Sequence, residues 1–183
     1  MRSRLVVLIA LAVAASVAAG SALAHGSAKA GPCSSGTTAK AGSYTLALIL
    51  GPRQEMYMPS EVRARKLKTG QVMLGGEMAM IENVPAGMKI YDLAVHICTK
   101  SGAVVTQLKP VIVVQAAGAK SKNVAVAMMA AVGKSLSDYH YGNDVALKPG
   151  SKVTVTVTFK GERAVFHATV PKQGSGMDGM SMG

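Results

Sequence analysis

The sequence predicts an all-β fold, a sandwich of about seven short strands with flexible segments at both ends. Three observations carry this reading. β-Branched residues recur with a period of two, Gly and Pro bound each such run, and no long run keeps helical spacing. The clearest case is residues 152–159, where Val153, Val155, Val157 and Phe159 alternate with Lys152 and three threonines. Such alternation marks a strand buried on one face.

The elements follow in chain order. Arg2 and Arg4 precede an apolar run at residues 5–19, and the small residues Ala22 and Ala24 form a cleavage site. Residues 1–24 therefore read as a signal peptide whose removal leaves His25 first. The run is short for a membrane span. A soluble periplasmic or secreted product is expected. Residues 25–42, rich in Gly, Ala, Ser, Lys and Thr, read as a flexible lead-in, and residues 43–172 as one domain. Candidate strands are 44–50, 71–81, 89–99, 110–116, 122–129, 152–159 and 164–170. Pro59-Ser60-Glu61 starts a short helical turn that ends before Gly70. Lys160-Gly161-Glu162 turns the chain into the last strand. Residues 173–183 contain too much glycine to bury a face and read as a disordered tail.

Charge and cysteine narrow the function classes. Eighteen basic and nine acidic residues remain after cleavage, a net charge of +9. The basic residues are scattered apart from residues 63–68, and export argues against nucleic acid, so a solvated face accounts for them. Both cysteines follow the leader, and an oxidising compartment makes a Cys33–Cys98 disulfide the default pairing. Hydrolase motifs are absent: there is no Gly-x-Ser-x-Gly, no His-Glu-x-x-His and no evident carboxylate pair. The chain does not read as an enzyme.

Methionine carries the chemistry. There are 12, nine of them clustered as Met56/Met58, Met78/Met80, Met128/Met129 and Met177/Met180/Met182. A thioether is a soft, uncharged ligand, so paired methionines outside the cytosol suggest copper, with Cu(I) favoured. The competing reading is core filler in a chain with no Trp and two Phe. The tail trio escapes that reading because no core can form there. Parity sorts the side chains. Met78 and Met80 share a face, while Met128 points into the core and Met129 away from it. Tyr91, Leu93, Val95 and Ile97 form a core face. Asp92, Ala94, His96 and Cys98 form the other, so His96 is expected on the solvent side rather than as a ligand. Residues 138–144, Asp-Tyr-His-Tyr-Gly-Asn-Asp, read as a loop that places His140 near Met129. Imidazole with thioether suits copper. His25, if it becomes the N-terminus, offers a second mode, its α-amine and imidazole chelating Cu(II) as in a histidine brace.

Met128-Met129 followed by His140-Tyr141-Gly142-Asn143 and an apolar strand resembles the periplasmic iron-transport proteins, also called the pathogen-specific membrane antigen family. The early segment 46–52 followed by Met56 is similar to that family's first strand and its ligand Met. The resemblance implies an immunoglobulin-like β-sandwich that forms a homodimer, binds copper through Met and His, holds a second divalent metal and serves an iron permease. Carried over, it places Met56, Met129 and His140 among the ligands. Met78 and Met80 stand where the family bears imidazole, and His167 is the one counterpart of its late His. Exchange of His and carboxylate for thioether favours monovalent copper over ferrous transport. The expected function is an exported copper chaperone or sequestration protein with ligands Met56, Met78, Met80, Met129 and His140. The alternatives are a part in iron uptake with a membrane permease and a non-catalytic interaction domain. A copper-handling protein is the partner the first reading implies.

Overall fold

Alternating apolar positions build two sheets that enclose one apolar layer. The structure, a computed structural model, describes residues 31–172. The leader 1–24, His25 and the tail with Met177, Met180 and Met182 lie outside the described residues. The strands are β1 (Thr37–Ala41), β2 (Tyr44–Pro52), β3 (Met56–Tyr57), β4 (Gln71–Gly76), β5 (Lys89–Cys98), β6 (Val111–Ala116), β7 (Lys122–Val124), β8 (Ala127–Ala131), β9 (His140–Leu147), β10 (Lys152–Phe159) and β11 (Glu162–Thr169). One helix, α1 (Pro59–Arg65), starts on Pro59, and Glu61 caps it through the Met58 backbone N–H. A seven-stranded sheet in the order β1-β2-β5-β9-β8-β4-β3 faces a four-stranded sheet, β11-β10-β6-β7. The chain is an all-β sandwich.

The apolar layer between the sheets is the one that parity predicts. Leu46 and Leu48 of β2, with Tyr91, Leu93, Val95 and Ile97 of β5, meet Val153, Val155, Val157 and Phe159 of β10 and Phe166 of β11. Tyr141 of β9 is fully buried in it; its hydroxyl donates to Val105 O (2.9 Å) and accepts from Leu108 N (3.0 Å). Cys33 and Cys98 are joined, fastening the segment before β1 to the end of β5.

Four elements differ from the sequence expectation. Residues 140–147 form the strand β9, not a loop, pairing on one side with β5 and on the other with β8. The expected strand 71–81 stops at Gly76, because a register shift between Met73 and Gly75 and a positive φ of 86° at Gly76 end the pairing. The expected strand 122–129 divides into β7 and β8, which belong to different sheets. β1 lies inside the expected lead-in and pairs with β2 over its whole length.

The large sheet cannot be flat. β2 and β3 are five strand steps apart, about 24 Å at the usual spacing. Only residues 53–55 link Pro52 to Met56, a reach of at most about 14 Å. The sheet therefore curls, and a hydrogen bond shows in which direction. Gln71 Nε2 in β4 donates to Asp92 Oδ2 in β5 at 2.6 Å, although β8 and β9 lie between these strands. Asp92 is on the face of β5 that points away from the apolar layer. The β8-β4-β3 arm thus folds over that outer face and closes a second, smaller compartment.

Gly142 is the position this arrangement tolerates least. A Cβ there would come 1.7 Å from Leu93 O, a backbone atom of the paired strand. Gly142→Ala should cost about 3 kcal/mol or more in denaturant unfolding, because β5 and β9 would have to separate. A variant as stable as the parent would show that the two strands do not approach this closely.

Candidate metal centre

Period two along β9 sends Tyr141 into the main apolar layer and His140 into the compartment under the curl. Met129 of β8 is the direct cross-strand partner of His140, and Met73 of β4 is the direct partner of Met129. Met129 is fully buried, yet it stands apart from the main core, as do Ala47 and Ala94. Ala94 and Gly142 are direct cross-strand partners, and Ala47 is the direct partner of His96.

His140 is 3% exposed. Its Nδ1 lies 2.8 Å from Asp138 O. A carbonyl can only accept, so Nδ1 carries the proton and Nε2 presents a lone pair. That Nε2 is buried with no hydrogen-bond partner, the one such side-chain nitrogen or oxygen among the described residues. Burial lowers the pKa of His140, against an opposing bond to the Asp138 carbonyl, so the ring is neutral at neutral pH. A neutral imidazole with its Nδ1 held by a carbonyl and its Nε2 bare has the orientation of a metal ligand. With a thioether directly opposite, the donor set is soft and uncharged, and it fits copper.

The expected ligands separate into groups. Met129 and His140 are brought together. Met56 and Met78 line one open pocket with Arg53, Glu55, Tyr57 and Arg65. Met80 belongs to neither group and is 79% exposed. Met78 and Met80 lie on the segment after β4, not on a strand face. Asn143 holds that segment: its amide donates to the carbonyls of Glu77 (2.7 Å) and Ala125 (2.8 Å) and accepts from Ala79 N (3.0 Å). His167 is exposed on β11, with Nδ1 3.3 Å from Thr154 Oγ1, on the other sheet. The expectation that His96 faces solvent is overturned. It is 3% exposed, because the outer face of β5 that it occupies is covered by the curl. Met73 was not singled out from sequence; its place opposite Met129 depends on a β4–β8 register that no local pattern encodes. Among the described residues there is no group of three or more His, Cys, Asp or Glu side chains that could hold a metal ion.

A polar cluster adjoins this centre. Asp92 and Asp144 are direct cross-strand partners, both buried. Arg53 Nε donates to Asp144 Oδ2 at 2.8 Å, while Asp92 has the neutral amide of Gln71. Burial, and then the neighbouring Asp144 carboxylate, push the Asp92 carboxyl up to about 6, against the Gln71 bond.

Comparison with family models, with curated proteins and with solved structures finds no match to this chain.

The raised Asp92 carboxyl has a measurable consequence. Its folded value, about 6, lies above the ordinary 3.8, so its contribution to stability is complete below about pH 4 and is lost as pH rises through 6. Asp92→Asn removes this loss. Relative to the parent, the variant should gain about 2–3 kcal/mol between pH 4 and pH 8 in urea unfolding. A difference that does not change with pH would contradict the burial of a strained carboxylate.

Proposed function

We propose that this chain is an exported copper-binding protein, a chaperone or sequestration protein rather than an enzyme, with Met129 and His140 as ligands to one ion. One observation carries the reading: a fully buried thioether lies directly across the strand pair from a buried imidazole whose Nε2 has no partner. An unpaired buried nitrogen ordinarily costs about 1–3 kcal/mol, and ligation would remove that cost. Cu(I) is favoured because the thioether is soft, while the imidazole also accommodates Cu(II).

The protein's residues divide the work. The Asp138 carbonyl fixes the His140 ring, Gly142 lets β5 and β9 close beneath it, and the curled arm excludes water. The metal would supply no chemistry beyond its own carriage. Met56 and Met78, in an open pocket, and Met80, largely exposed, suit transient capture more than retention. The segment bearing Met78 and Met80 is tethered to Asn143, three residues along β9 from His140, about 10 Å of strand. A second reading rests on the His140-Tyr141-Gly142-Asn143 stretch, which resembles the iron-transport family: the same centre would then serve an iron permease.

Cu(I) competition titration of the full chain tests the proposal. Met129→Ala and His140→Ala should each weaken the tight site by about tenfold or more. The double variant should lose less than the sum of the two, because both side chains act on one ion. Met80→Ala should leave the tight site unchanged. Full retention of copper by both single variants would return Met129 to the role of core filler.

A further inference from the structure

The structure brings a second imidazole to the same centre. His96 occupies β5 on the face shared by Asp92 and Ala94, under the curled arm. Its cross-strand neighbours in β9 follow from the register: Val95 pairs with Tyr141, so His96 falls beside His140. The two rings meet edge to face, with centroids 5.3 Å apart and planes at 66°.

His96 is held in the same way as His140. Its Nδ1 lies 3.0 Å from Tyr139 O, and a carbonyl can only accept, so this nitrogen also carries the proton. The two rings are thus clamped by successive carbonyls, Asp138 and Tyr139, of one short turn. Each keeps Nε2 as its remaining nitrogen, with the lone pair outward from the clamp. Two neutral imidazoles packed together need no special cause; the clamping of both in one tautomer beside a bare, buried Nε2 and a thioether is more specific. Backbone carbonyls that fix the Nδ1–H of neighbouring rings are the usual support of a metal-ligating pair. The spacing fits as well. With metal–nitrogen bonds of ~2 Å, two rings on one ion have centroids about 4.5–6.5 Å apart.

We propose that His96 is the second imidazole ligand, so that one ion is held by His96 Nε2, His140 Nε2 and Met129 Sδ. The proposal deepens the copper reading above and rests on it. Three neutral donors around one buried cation also explain why Met56, Met78 and Met80 are not needed to complete the centre. They lie on the pocket and surface side of the arm, while the two histidines and Met129 come from three adjacent strands, β5, β9 and β8. Adjacent strands fix their side chains far more tightly than a loop does.

The test uses Ag(I), a diamagnetic stand-in for Cu(I), on the full chain labelled with ¹⁵N-histidine. Long-range ¹H–¹⁵N correlation reads each ring nitrogen separately, and His167, on the other sheet, serves as an internal reference. At one equivalent, the Nε2 resonances of both His96 and His140 should move together, with both Nδ1 resonances still protonated. His96→Gln should then bind Cu(I) about tenfold more weakly in competition titration, with the apo variant's near-ultraviolet spectrum unchanged. Movement of His140 Nε2 alone would overturn the role of His96 and leave the copper reading standing. Movement of neither would overturn both. Because the resonances are read in the unmutated protein, failure of a variant to fold does not blunt the result.

Discussion

The curl of the seven-stranded sheet is the constraint on which the rest of this structure depends. The link between Pro52 and Met56 is too short for the flat-sheet distance between the strands it joins. The β8-β4-β3 arm must therefore fold back over the outer face of β5 and β9. An ordinary antiparallel sheet of a sandwich has one face on the core and one in water. Here both faces of the central strands are covered, which is why Asp92, Asp144, His96 and His140 are all buried. Polar groups in that position need partners, and nearly all have one: Gln71 for Asp92, Arg53 for Asp144, and backbone carbonyls for both histidines. The exception is His140 Nε2.

The two compartments differ in chemistry because one strand feeds both. Along β9, Tyr141 anchors the apolar layer through its ring and its hydroxyl, while His140 enters the softer compartment beside Met129. Gly142 permits close approach to Leu93, and Asn143 ties three backbone groups from two other segments. Each residue of this four-residue stretch thus has its own physical task. His140 Nε2 is the one atom in it that packing and hydrogen bonding leave over.

Most of the strands that the sequence reveals have one wet face, and β5, covered on both, is revealed by its strongly apolar side. β2, β5, β6, β10 and β11 show alternation because a single side of each is buried in the main layer or because one side is strongly apolar. β9 does not, since polar residues fall on both of its faces, His140 and Asp144 on one and Asn143 on the other. Its Gly, Asn and Asp also imitate a turn. β1 is an edge strand in a run of Thr, Ala and Lys, with one buried residue, Ala41, and so carries no pattern. His96 illustrates the deeper limit. Parity put it on the correct face of β5, but whether that face meets water is decided by the link between β2 and β3, some 40 residues away. The pairing of Met129 with His140 was legible, because proximity along the chain and parity agreed. The separation of Met80 was not, because Gly75 and Gly76 end β4 before the methionines are reached.

The most direct test of the account is X-ray absorption at the copper edge on the full chain loaded with one equivalent of Cu(I). The account predicts nitrogen and sulfur scatterers together in the first shell, with the multiple-scattering signature of imidazole. A shell of sulfur alone would mean that exposed methionines hold the metal, and a shell without sulfur would remove Met129; either result would contradict a buried centre built from β8 and β9.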